Sequence, residues 1–255
     1  MARLTFEGIE ESFRRVILPG DTVFLHSDMG FLAQLGPGPL GEKMSRLLAI
    51  IRAILGPQGT LIVPTFTYSF CRSEAFDVKK SPSTVGAFTE FVRSQPDSMR
   101  SIDPIFSVSA IGAAAQSIHD LRNESCFGPG SIFDFLFRQA GKIVCCGCSL
   151  DRATFVHFVE QTQGVYYRYI KRFAGPLIDS LGVESNCHVD YYVRKLDLNF
   201  ETNLGRLQIA LEGSGKLFSG ELGRFRLLSV GAVDFFEQAS EMLKMDENSL
   251  VAFNK

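Results

Sequence analysis

The chain has 255 residues, of which 45% are hydrophobic, and its formal net charge at pH 7 is -2. These values exclude a disordered chain and predict either one large domain or two small ones. A general nucleic-acid binder would usually be basic, although net charge does not exclude a local pocket for anions. No stretch approaches the roughly 18 apolar residues of a membrane-spanning helix. We therefore expect neither nucleic acid nor membrane among the partners.

The N-terminal segment and the cysteines both predict a cytoplasmic protein. Residues 1–15 contain three glutamates and several arginines, a charge pattern that does not fit a signal peptide. Six cysteines are scattered along a chain that is too long to need disulfides. The sequence makes no prediction about the oligomeric state.

The first two-thirds of the chain alternate between helical and strand patterns. The spacing of apolar residues, together with breaks at Gly and Pro, predicts four helices, at 6–16, 44–55, 85–93 and 114–121. The same signals predict four strands, at 22–25, 60–63, 106–111 and 142–146. Strands that are separated by helices need crossover connections, which favour parallel pairing. The predicted fold class is α/β, with a largely parallel central sheet flanked by helices.

The C-terminal third predicts a smaller, β-rich portion. Residues 187–198 alternate apolar and polar side chains, which predicts a strand, and residues 207–211 are another short strand candidate. Three glycines in 212–220 predict a turn or flexible loop, and a closing helix follows at about 233–245. We thus expect an α/β core over 1–170 and a β-rich portion over 171–255, within one continuous domain.

Three polar clusters follow predicted strands, where open α/β sheets place their ligands. They are His26-Ser27-Asp28-Met29-Gly30, Pro64-Thr65-Phe66-Thr67 and the segment 151–160. Each cluster alone is equally typical of helix caps and turns. Their shared position predicts a site at this edge of the sheet.

His157 and Glu160 are three residues apart, so a helix would place them on one face. A carboxylate could then bind one imidazole nitrogen and leave the other as a base. The alternative is an ordinary polar helix face. Among the other histidines, His26 could contact a ligand or be a loop residue, whereas His119 and His188 suggest packing or surface positions.

Three cysteines lie close together in the sequence, at Cys145, Cys146 and Cys148. A metal site is one hypothesis for them, because Cys145 and Cys148 have the spacing of a zinc knuckle. No second pair of this kind and no suitably spaced His pair exists, so we predict no metal. Cysteines within an apolar strand usually act as small hydrophobes. A nucleophilic Cys148 assisted by His157 stays open as an alternative.

Five stretches together resemble the aminoglycoside 3-N-acetyltransferase family over roughly residues 20 to 245. They are His26 to Met29, Gly59 to Thr67, Ser81 to Gly86, Arg100 to Pro104 with Ser107, and Thr154 to Glu160, and Tyr167-Arg168 with Lys171 echo a further family stretch. The resemblance implies an acyltransferase that takes its acyl group from acyl-CoA, with no metal. It implies His157 as general base and Glu160 as the carboxylate that orients it.

The resemblance also implies the residues that contact CoA. These are His26, Ser27, Asp28, Met29, Thr65, Thr67, Ser81, Ser83, Arg100, Ser101 and Ser107. Backbone amides, hydroxyls and cations of this kind suit a diphosphate.

The acceptor is the least determined part of the interpretation. Asp103 stands where many relatives have His, and Ala153 where they have Asn. The expected acceptor contacts are Asp103, Arg152, Thr154, Arg168 and Lys171. Because this set is cationic, we expect an anionic acceptor, a dTDP- or UDP-linked amino-deoxyhexose used in surface polysaccharide synthesis. The alternatives are aminoglycoside acetylation, which confers antibiotic resistance, and a CoA-binding protein without turnover.

Overall fold

The computed structural model describes residues 4–253. Its helices are α1 (Phe6–Val16), α2 (Leu40–Leu55), α3 (Ala87–Arg93), α4 (Ala115–His119), α5 (Ile132–Arg138), α6 (Val156–Gln163), α7 (Gly205–Gly213) and α8 (Ala232–Met245). Its strands are β1 (Thr22–Ser27), β2 (Thr60–Pro64), β3 (Phe76–Asp77), β4 (Met99–Arg100), β5 (Val108–Gly112), β6 (Lys142–Cys146), β7 (Arg168–Ile178), β8 (Glu184–Arg194), β9 (Phe200–Thr202), β10 (Leu217–Leu222), β11 (Phe225–Gly231) and β12 (Val251–Phe253). Within this range no helix is both long enough and apolar enough to cross a bilayer.

A seven-stranded sheet in the order β10-β11-β6-β1-β2-β5-β4 forms the centre of the fold. Strand β1 pairs in parallel with both β2 and β6, and the outer pairings are antiparallel. At each edge of the sheet two antiparallel pairings follow one another, so the outermost strands β10 and β4 run in the same direction as β6, β1 and β2. Five of the seven strands therefore run in one direction. The predicted α/β class with a largely parallel sheet is confirmed.

The sheet is buried on both faces because its central strands are apolar at successive positions. Val23, Leu25 and Val63 face a core shared with α1, α2 and α3, whereas Phe24 and Ile62 face a core shared with α5, α6 and α8. Continuous apolar runs of this kind are typical of parallel strands covered on both sides. The helices therefore hold the strand ends in place, and this packing also determines the positions of the polar residues that directly follow the strands.

Strands β7 and β8 form a long antiparallel hairpin, in which each strand has 11 residues. The short strand β3 pairs with β7 and completes a three-stranded sheet. Much of the hairpin is exposed, but its first residues, Arg168 and Tyr169, directly follow the segment after α6. The hairpin therefore begins beside the predicted site.

Two predictions for the C-terminal third are wrong. Residues 207–211 form part of helix α7, not a strand, because Leu207 and Leu211 are four residues apart and bury one helical face. Residues 212–220 are not all loop, since β10 begins at Leu217 and pairs with β11. Both strands extend the central sheet next to β6. The division at residue 170 stays a prediction.

Candidate active site

Strands β1, β2 and β6 end at the same edge of the sheet and open into a cavity of about 830 Å³, which we call the strand-end cavity. The segment after β1, the segment around Pro64, the start of α3 and the residues after β6 line it. Its lining includes six of the residues expected to bind ligands, and it also includes Cys148, the alternative nucleophile. The six are His26, Ser27, Asp28, Met29, Arg152 and Thr154. This is the position at which open α/β sheets place ligands.

The wall formed by the end of β1 has polar atoms without partners. Within residues 4–253, His26 Nε2 and Ser27 Oγ are buried and make no hydrogen bond. Burial lowers the pKa of His26 to about 3, so the ring is neutral at physiological pH. Unpaired buried polar atoms are costly in a folded protein. Both residues belong to the lining of the strand-end cavity, so these unpaired groups lie in its wall.

One carboxylate oxygen of Asp28 is hydrogen-bonded within its own loop. Its Oδ1 accepts a hydrogen bond from the Gly30 amide at 2.8 Å and caps the short helical segment that begins at Met29. Arg152 is exposed and Thr154 half-buried at the opposite wall. Of these residues, Arg152 offers the cavity its positive charge.

The other predicted CoA contacts lie away from this cavity. Thr67 and Ser81 line a neighbouring cavity of about 530 Å³, and the Ser83 hydroxyl is hydrogen-bonded to Thr89 at 2.9 Å. Thr65 Oγ1 donates to the Ser107 carbonyl, and Ser107 Oγ donates to the Thr65 carbonyl at 2.8 Å. These side chains are committed to internal hydrogen bonds, so we infer that they shape the loops around the cavity.

Arg100 and Ser101 also face inward. Ser101 Oγ accepts from the Val108 amide at 2.9 Å. The Arg100 guanidinium is 5% exposed and donates to the carbonyls of Thr65, Val78 and Ser81. Burial lowers its pKa to about 10, which still leaves it charged at pH 7. Arg100 therefore ties together the loops after β2 and β3 and does not reach the cavity.

Replacing Arg100 with Met is expected to lower the free energy of unfolding by about 3 kcal/mol, because it leaves buried carbonyls without donors. The exposed Arg152 provides a matched control, and Arg152→Met should change it by less than about 0.5 kcal/mol. Urea denaturation of both variants measures the difference. Equal stabilities would show that Arg100 does not hold these loops together.

Both carboxylate oxygens of Asp103 accept hydrogen bonds within the protein. Its Oδ1 accepts from the amides of Ile105 and Phe106, at 2.8 and 2.7 Å, and its Oδ2 accepts from the Asn123 side chain at 2.7 Å. It is 7% exposed. The carboxylate thus closes a turn, which is a common use of Asp before Pro. Its contact with an acceptor stays a prediction.

Helix α6 brings His157 and Glu160 together, as their spacing predicts. His157 Nδ1 lies 2.7 Å from Glu160 Oε2. The Glu160 side chain is fully buried, and 19% of the His157 side chain is exposed. Because Glu160 accepts the Nδ1–H, His157 Nε2 carries the lone pair and faces outward as an acceptor for a proton.

Two further side chains hold Glu160. The Tyr167 hydroxyl donates to Oε1 at 3.1 Å. Arg168 Nε lies 2.6 Å from Oε2 without the alignment of a hydrogen bond, so this contact is an ion pair. The structure thus places Arg168 beneath His157 as a partner of Glu160, in addition to its expected role at the acceptor. A buried carboxylate needs such partners to remain charged.

The pKa values of the pair follow from this arrangement. Burial lowers the pKa of His157 below 6.5, and the positive charge of Arg168 lowers it further, whereas Glu160 opposes the shift. Burial alone would raise the pKa of Glu160, but His157, Arg168 and Tyr167 together bring it below its usual range. At pH 7 the site therefore holds a neutral imidazole beside an ionised carboxylate.

His157 lines a second cavity of about 400 Å³, which we call the hairpin cavity because strands β7 and β8 form most of its wall. Three cations line it, Arg168, Lys171 and Arg194, and no carboxylate among the described residues does so. Tyr169, Phe173 and Tyr191 supply aromatic surface. This composition suits a flat or ring-shaped ligand with some negative charge.

The linings of the two cavities contain neighbouring residues at the start of α6. Thr154 lines the strand-end cavity and His157 the hairpin cavity, and the His157 amide donates to the Thr154 carbonyl at 3.0 Å. The Phe106 ring contacts both Tyr68 of the first lining and Tyr191 of the second. His157 is thus part of the hairpin cavity and lies three residues from the wall of the strand-end cavity.

The alternatives involving cysteine gain no support from these contacts. Cys148 lines the strand-end cavity and makes no hydrogen bond with His157. No cluster of three or more His, Cys, Asp or Glu side chains within residues 4–253 could hold a metal ion. Sequence reasoning missed the roles of Tyr167 and Arg194, because no short-range spacing connects either residue with His157.

The family model described as aminoglycoside 3-N-acetyltransferase matches residues 24–244. The chain belongs to this family. The match includes the ends of β1, β2 and β6, all of α6 and the hairpin, so both cavities lie within it. The resemblance inferred from the five sequence stretches is confirmed.

Individual relatives agree with the family assignment. The aminoglycoside N(3)-acetyltransferase IV of Salmonella sp is 30% identical over 153 residues, which cover 59% of this chain and 56% of that protein. The chain spans about half the length of the curated relatives it matches.

Solved structures of this family share the fold. AAC-IIIb, in a binary complex with CoASH, gives a TM-score of 0.78 at 20% identity and covers 94% of this chain and 96% of its own. Sisomicin-bound AAC-VIa gives a TM-score of 0.78 at 19% identity and covers 96% and 99%. At these identities the comparison establishes the architecture of the chain over nearly its whole length.

Proposed function

We propose that this chain is a CoA-dependent N-acetyltransferase that acetylates an amino group of an aminoglycoside. The observation that carries the proposal is the His157–Glu160 pair, whose imidazole lines the hairpin cavity three residues after Thr154 of the strand-end cavity. The family, its CoASH-bound structure and its sisomicin-bound structure support CoA and an aminoglycoside as the two ligands.

The strand-end cavity is the proposed CoA site. His26, Ser27, Met29, Arg152 and Thr154 would hold the molecule there, and the unpaired atoms at His26 and Ser27 fit a ligand with polar groups. Acyl-CoA supplies an activated acyl group as a thioester. The remaining requirement is a group that removes a proton from the attacking amine, because an ammonium ion has no lone pair for attack.

His157 meets that requirement. Its neutral Nε2 can take a proton from an amine in the hairpin cavity, while Glu160 keeps the other ring proton on Nδ1. As His157 becomes positively charged, the buried Glu160 carboxylate stabilises it. Arg168 and Tyr167 hold that carboxylate in place. If acyl-CoA and the amine are held in alignment beside His157, the activation barrier of acyl transfer is lowered further.

The lowered pKa of His157 predicts the pH dependence of the base. The neutral form should dominate at pH 7 and should be lost as the pH falls through a midpoint below 6.5. An NMR titration of the imidazole C–H signals, assigned with His157→Gln, measures this midpoint without acceptor. A midpoint above 6.5 would mean that Glu160 outweighs both burial and Arg168, and the proposed neutral base would be wrong.

A second acceptor class has one specific observation in its favour. Lys171 and Arg194 line the hairpin cavity without an acidic neighbour in that lining, and Arg168 is already paired with Glu160. These two cations would attract the diphosphate of a nucleotide-linked amino sugar and repel a polycationic aminoglycoside. The comparisons support the aminoglycoside, so the nucleotide-linked sugar is the second candidate.

A side-by-side assay separates the two candidates. Release of free thiol from acetyl-CoA is followed with sisomicin in one reaction and a dTDP-linked 3-amino-deoxyhexose in the other. The main proposal predicts release with sisomicin. Release with the sugar nucleotide alone would move the acceptor to the anionic class, and Lys171→Ala should then raise KM for that acceptor with little effect on kcat.

A further inference from the structure

Three aromatic rings, those of Phe106, Phe127 and Tyr191, pack against one another and form what we call the aromatic triangle. The ring centroids of Phe106 and Phe127 lie 4.7 Å apart, those of Phe106 and Tyr191 5.0 Å, and those of Phe127 and Tyr191 5.8 Å. Phe106 and Phe127 are buried, and Tyr191 is half-buried. Rings at these separations attract one another in addition to burying apolar surface. Each ring of the triangle therefore restricts the positions of the other two.

Each ring also contacts a different part of the candidate site. Phe106 packs against Phe66 of the strand-end cavity, with ring centroids 4.9 Å apart. Tyr191 lines the hairpin cavity. Phe127 lies edge-to-face against the His157 imidazole, with ring centroids 5.3 Å apart. The aromatic triangle thus connects the walls of both cavities with the His157 ring.

The backbone before Phe127 is tied to the segment that carries Phe106. The Asn123 side chain donates to Asp103 Oδ2 at 2.7 Å, and Asp103 Oδ1 accepts from the Phe106 amide at 2.7 Å. Asp103 is buried, so its hydrogen bonds are shielded from competition with water. One carboxylate therefore holds the Phe106 and Phe127 segments together.

The same backbone is tied to α6 and to β8. The Gln161 side-chain amide of α6 donates to the Ser125 hydroxyl at 2.9 Å. The Cys126 amide donates at 2.9 Å to the carbonyl of Asp190, the residue before Tyr191. The segment 123–127 is therefore hydrogen-bonded to the helix that carries His157 and to the strand that carries Tyr191.

Glu160 alone does not determine the direction of the His157 ring. Its contact with the ring is a single hydrogen bond at Nδ1, and the second torsion of a histidine side chain has a broad energy minimum. The ring can pivot about such a bond, and Nε2 then points elsewhere. Phe127 packs against the ring itself and opposes that rotation. For a reacting group, a misplacement of about 1 Å can cost about 10²-fold in rate.

We propose that Phe127 is a positioning residue, whose ring is held by Phe106 and Tyr191 and fixes the direction of His157 Nε2 in the hairpin cavity. This inference rests on the proposed function, in which Nε2 takes a proton from the acceptor amine. Phe127 does not touch the reacting atoms in this proposal and acts through His157 alone.

Phe127→Leu removes the ring and keeps an apolar side chain at this position. Phe13→Leu is the matched control, since Phe13 is equally buried but lies in the core on the other face of the sheet. We expect kcat for acyl transfer to fall about 10- to 100-fold in Phe127→Leu, with KM for acetyl-CoA changed less than about twofold. Phe13→Leu should keep the wild-type kcat. Wild-type kcat in Phe127→Leu, or an equal loss in Phe13→Leu, would overturn the proposal.

NMR of isotope-labelled histidine tests the same proposal without acyl transfer. The ring-nitrogen signals distinguish a nitrogen that carries a proton from one that does not, and His157→Gln assigns those of His157. We expect one tautomer in the wild type and in Phe13→Leu, with the proton on Nδ1, and a mixture of both tautomers in Phe127→Leu.

The NMR result stands apart from the proposed function. A wild-type protein with mixed tautomers at His157, or a Phe127→Leu variant with the single wild-type tautomer, would overturn the positioning role. The first of these results needs no variant, so the proposal is tested even if Phe127→Leu does not fold. Absence of acyl transfer by the wild type would instead contradict the proposed function, and the NMR signals would still decide whether Phe127 holds the ring.

Discussion

A His157→Ala variant is expected to transfer acyl groups about 10² to 10⁴ times more slowly than the wild type, the usual contribution of a positioned general base. His157 Nε2 faces the hairpin cavity, and its ring is held by Glu160 at 2.7 Å. Alanine removes the proton acceptor and leaves both cavities otherwise lined as before. The loss should therefore appear in kcat, with little change in KM for acyl-CoA. Steady-state kinetics with acetyl-CoA and sisomicin measure it.

His188 provides the matched control for this prediction. It lies on the exposed side of the β7–β8 hairpin and lines neither cavity. His188→Ala should keep the wild-type rate. If His157→Ala also kept the wild-type rate, the general-base assignment would be wrong and Cys148 would return as the candidate nucleophile.

A Glu160→Gln variant is expected to lose both activity and stability. Glu160 is fully buried, and it pairs with Arg168 at 2.6 Å and His157 at 2.7 Å. Removal of one partner of a buried ion pair costs about 3–5 kcal/mol, because the remaining charge stays buried without compensation. For a chain of this size that corresponds to a Tm lower by roughly 10 °C or more. Loss of the tautomer control at His157 should reduce the rate by about 10²-fold or more.

Thermal unfolding and the same kinetic assay test both parts of this prediction. Glu184→Gln is the control, since Glu184 is exposed at the far end of the hairpin and should change Tm by less than about 1 °C. A Glu160→Gln protein with wild-type Tm would show that Glu160 is not the charge that balances Arg168. Wild-type rate would show that His157 needs no carboxylate partner.

The sequence predicts the central part of the fold well because the apolar pattern there is continuous. Strands at 22–25, 60–63 and 142–146 are buried on both faces, and their length distinguishes them from helices. The sequence pattern fails at 207–211, because a stretch of only five residues is compatible with the period of a helix and with that of a strand. The pairing of β11 with β6, and of β10 with β11, could not be predicted either, because the return of the chain to the sheet edge depends on contacts distant in sequence.

The candidate site likewise has a part that the sequence predicts and a part that it does not. His157 and Glu160 could be predicted as a pair because a three-residue spacing on a helix determines their proximity. The direction of a long side chain is not determined by sequence spacing. Arg100 was therefore expected to contact the ligand, whereas its guanidinium binds three backbone carbonyls. For the same reason, the spacing does not predict the hydrogen bonds of Asp103 with backbone amides or the ion pair of Arg168 with Glu160. Tyr167 joins the site only through the turn that follows α6.

Cationic residues near α6 also show why the identity of an acceptor is hard to predict from charge. Arg168 and Arg172 contribute to the positive count of the sequence, but Arg168 is paired with Glu160 and Arg172 with Asp190 at 2.7 Å. A cation that is paired with a carboxylate exerts a smaller net field on a ligand than an unpaired one. In the described lining of the hairpin cavity, the cations without an acidic partner are Lys171 and Arg194, of which Arg194 was not expected.

The stoichiometry of a single reaction tests the central claim most directly. Wild-type protein is incubated with acetyl-CoA and sisomicin, and free thiol is counted beside the N-acetylated product identified by mass spectrometry. Direct transfer with His157 as base predicts equal amounts of the two products, no thiol release without acceptor, and almost none of either product with His157→Ala. Release of thiol without an acetylated amine, or equal product from His157→Ala, would contradict the account.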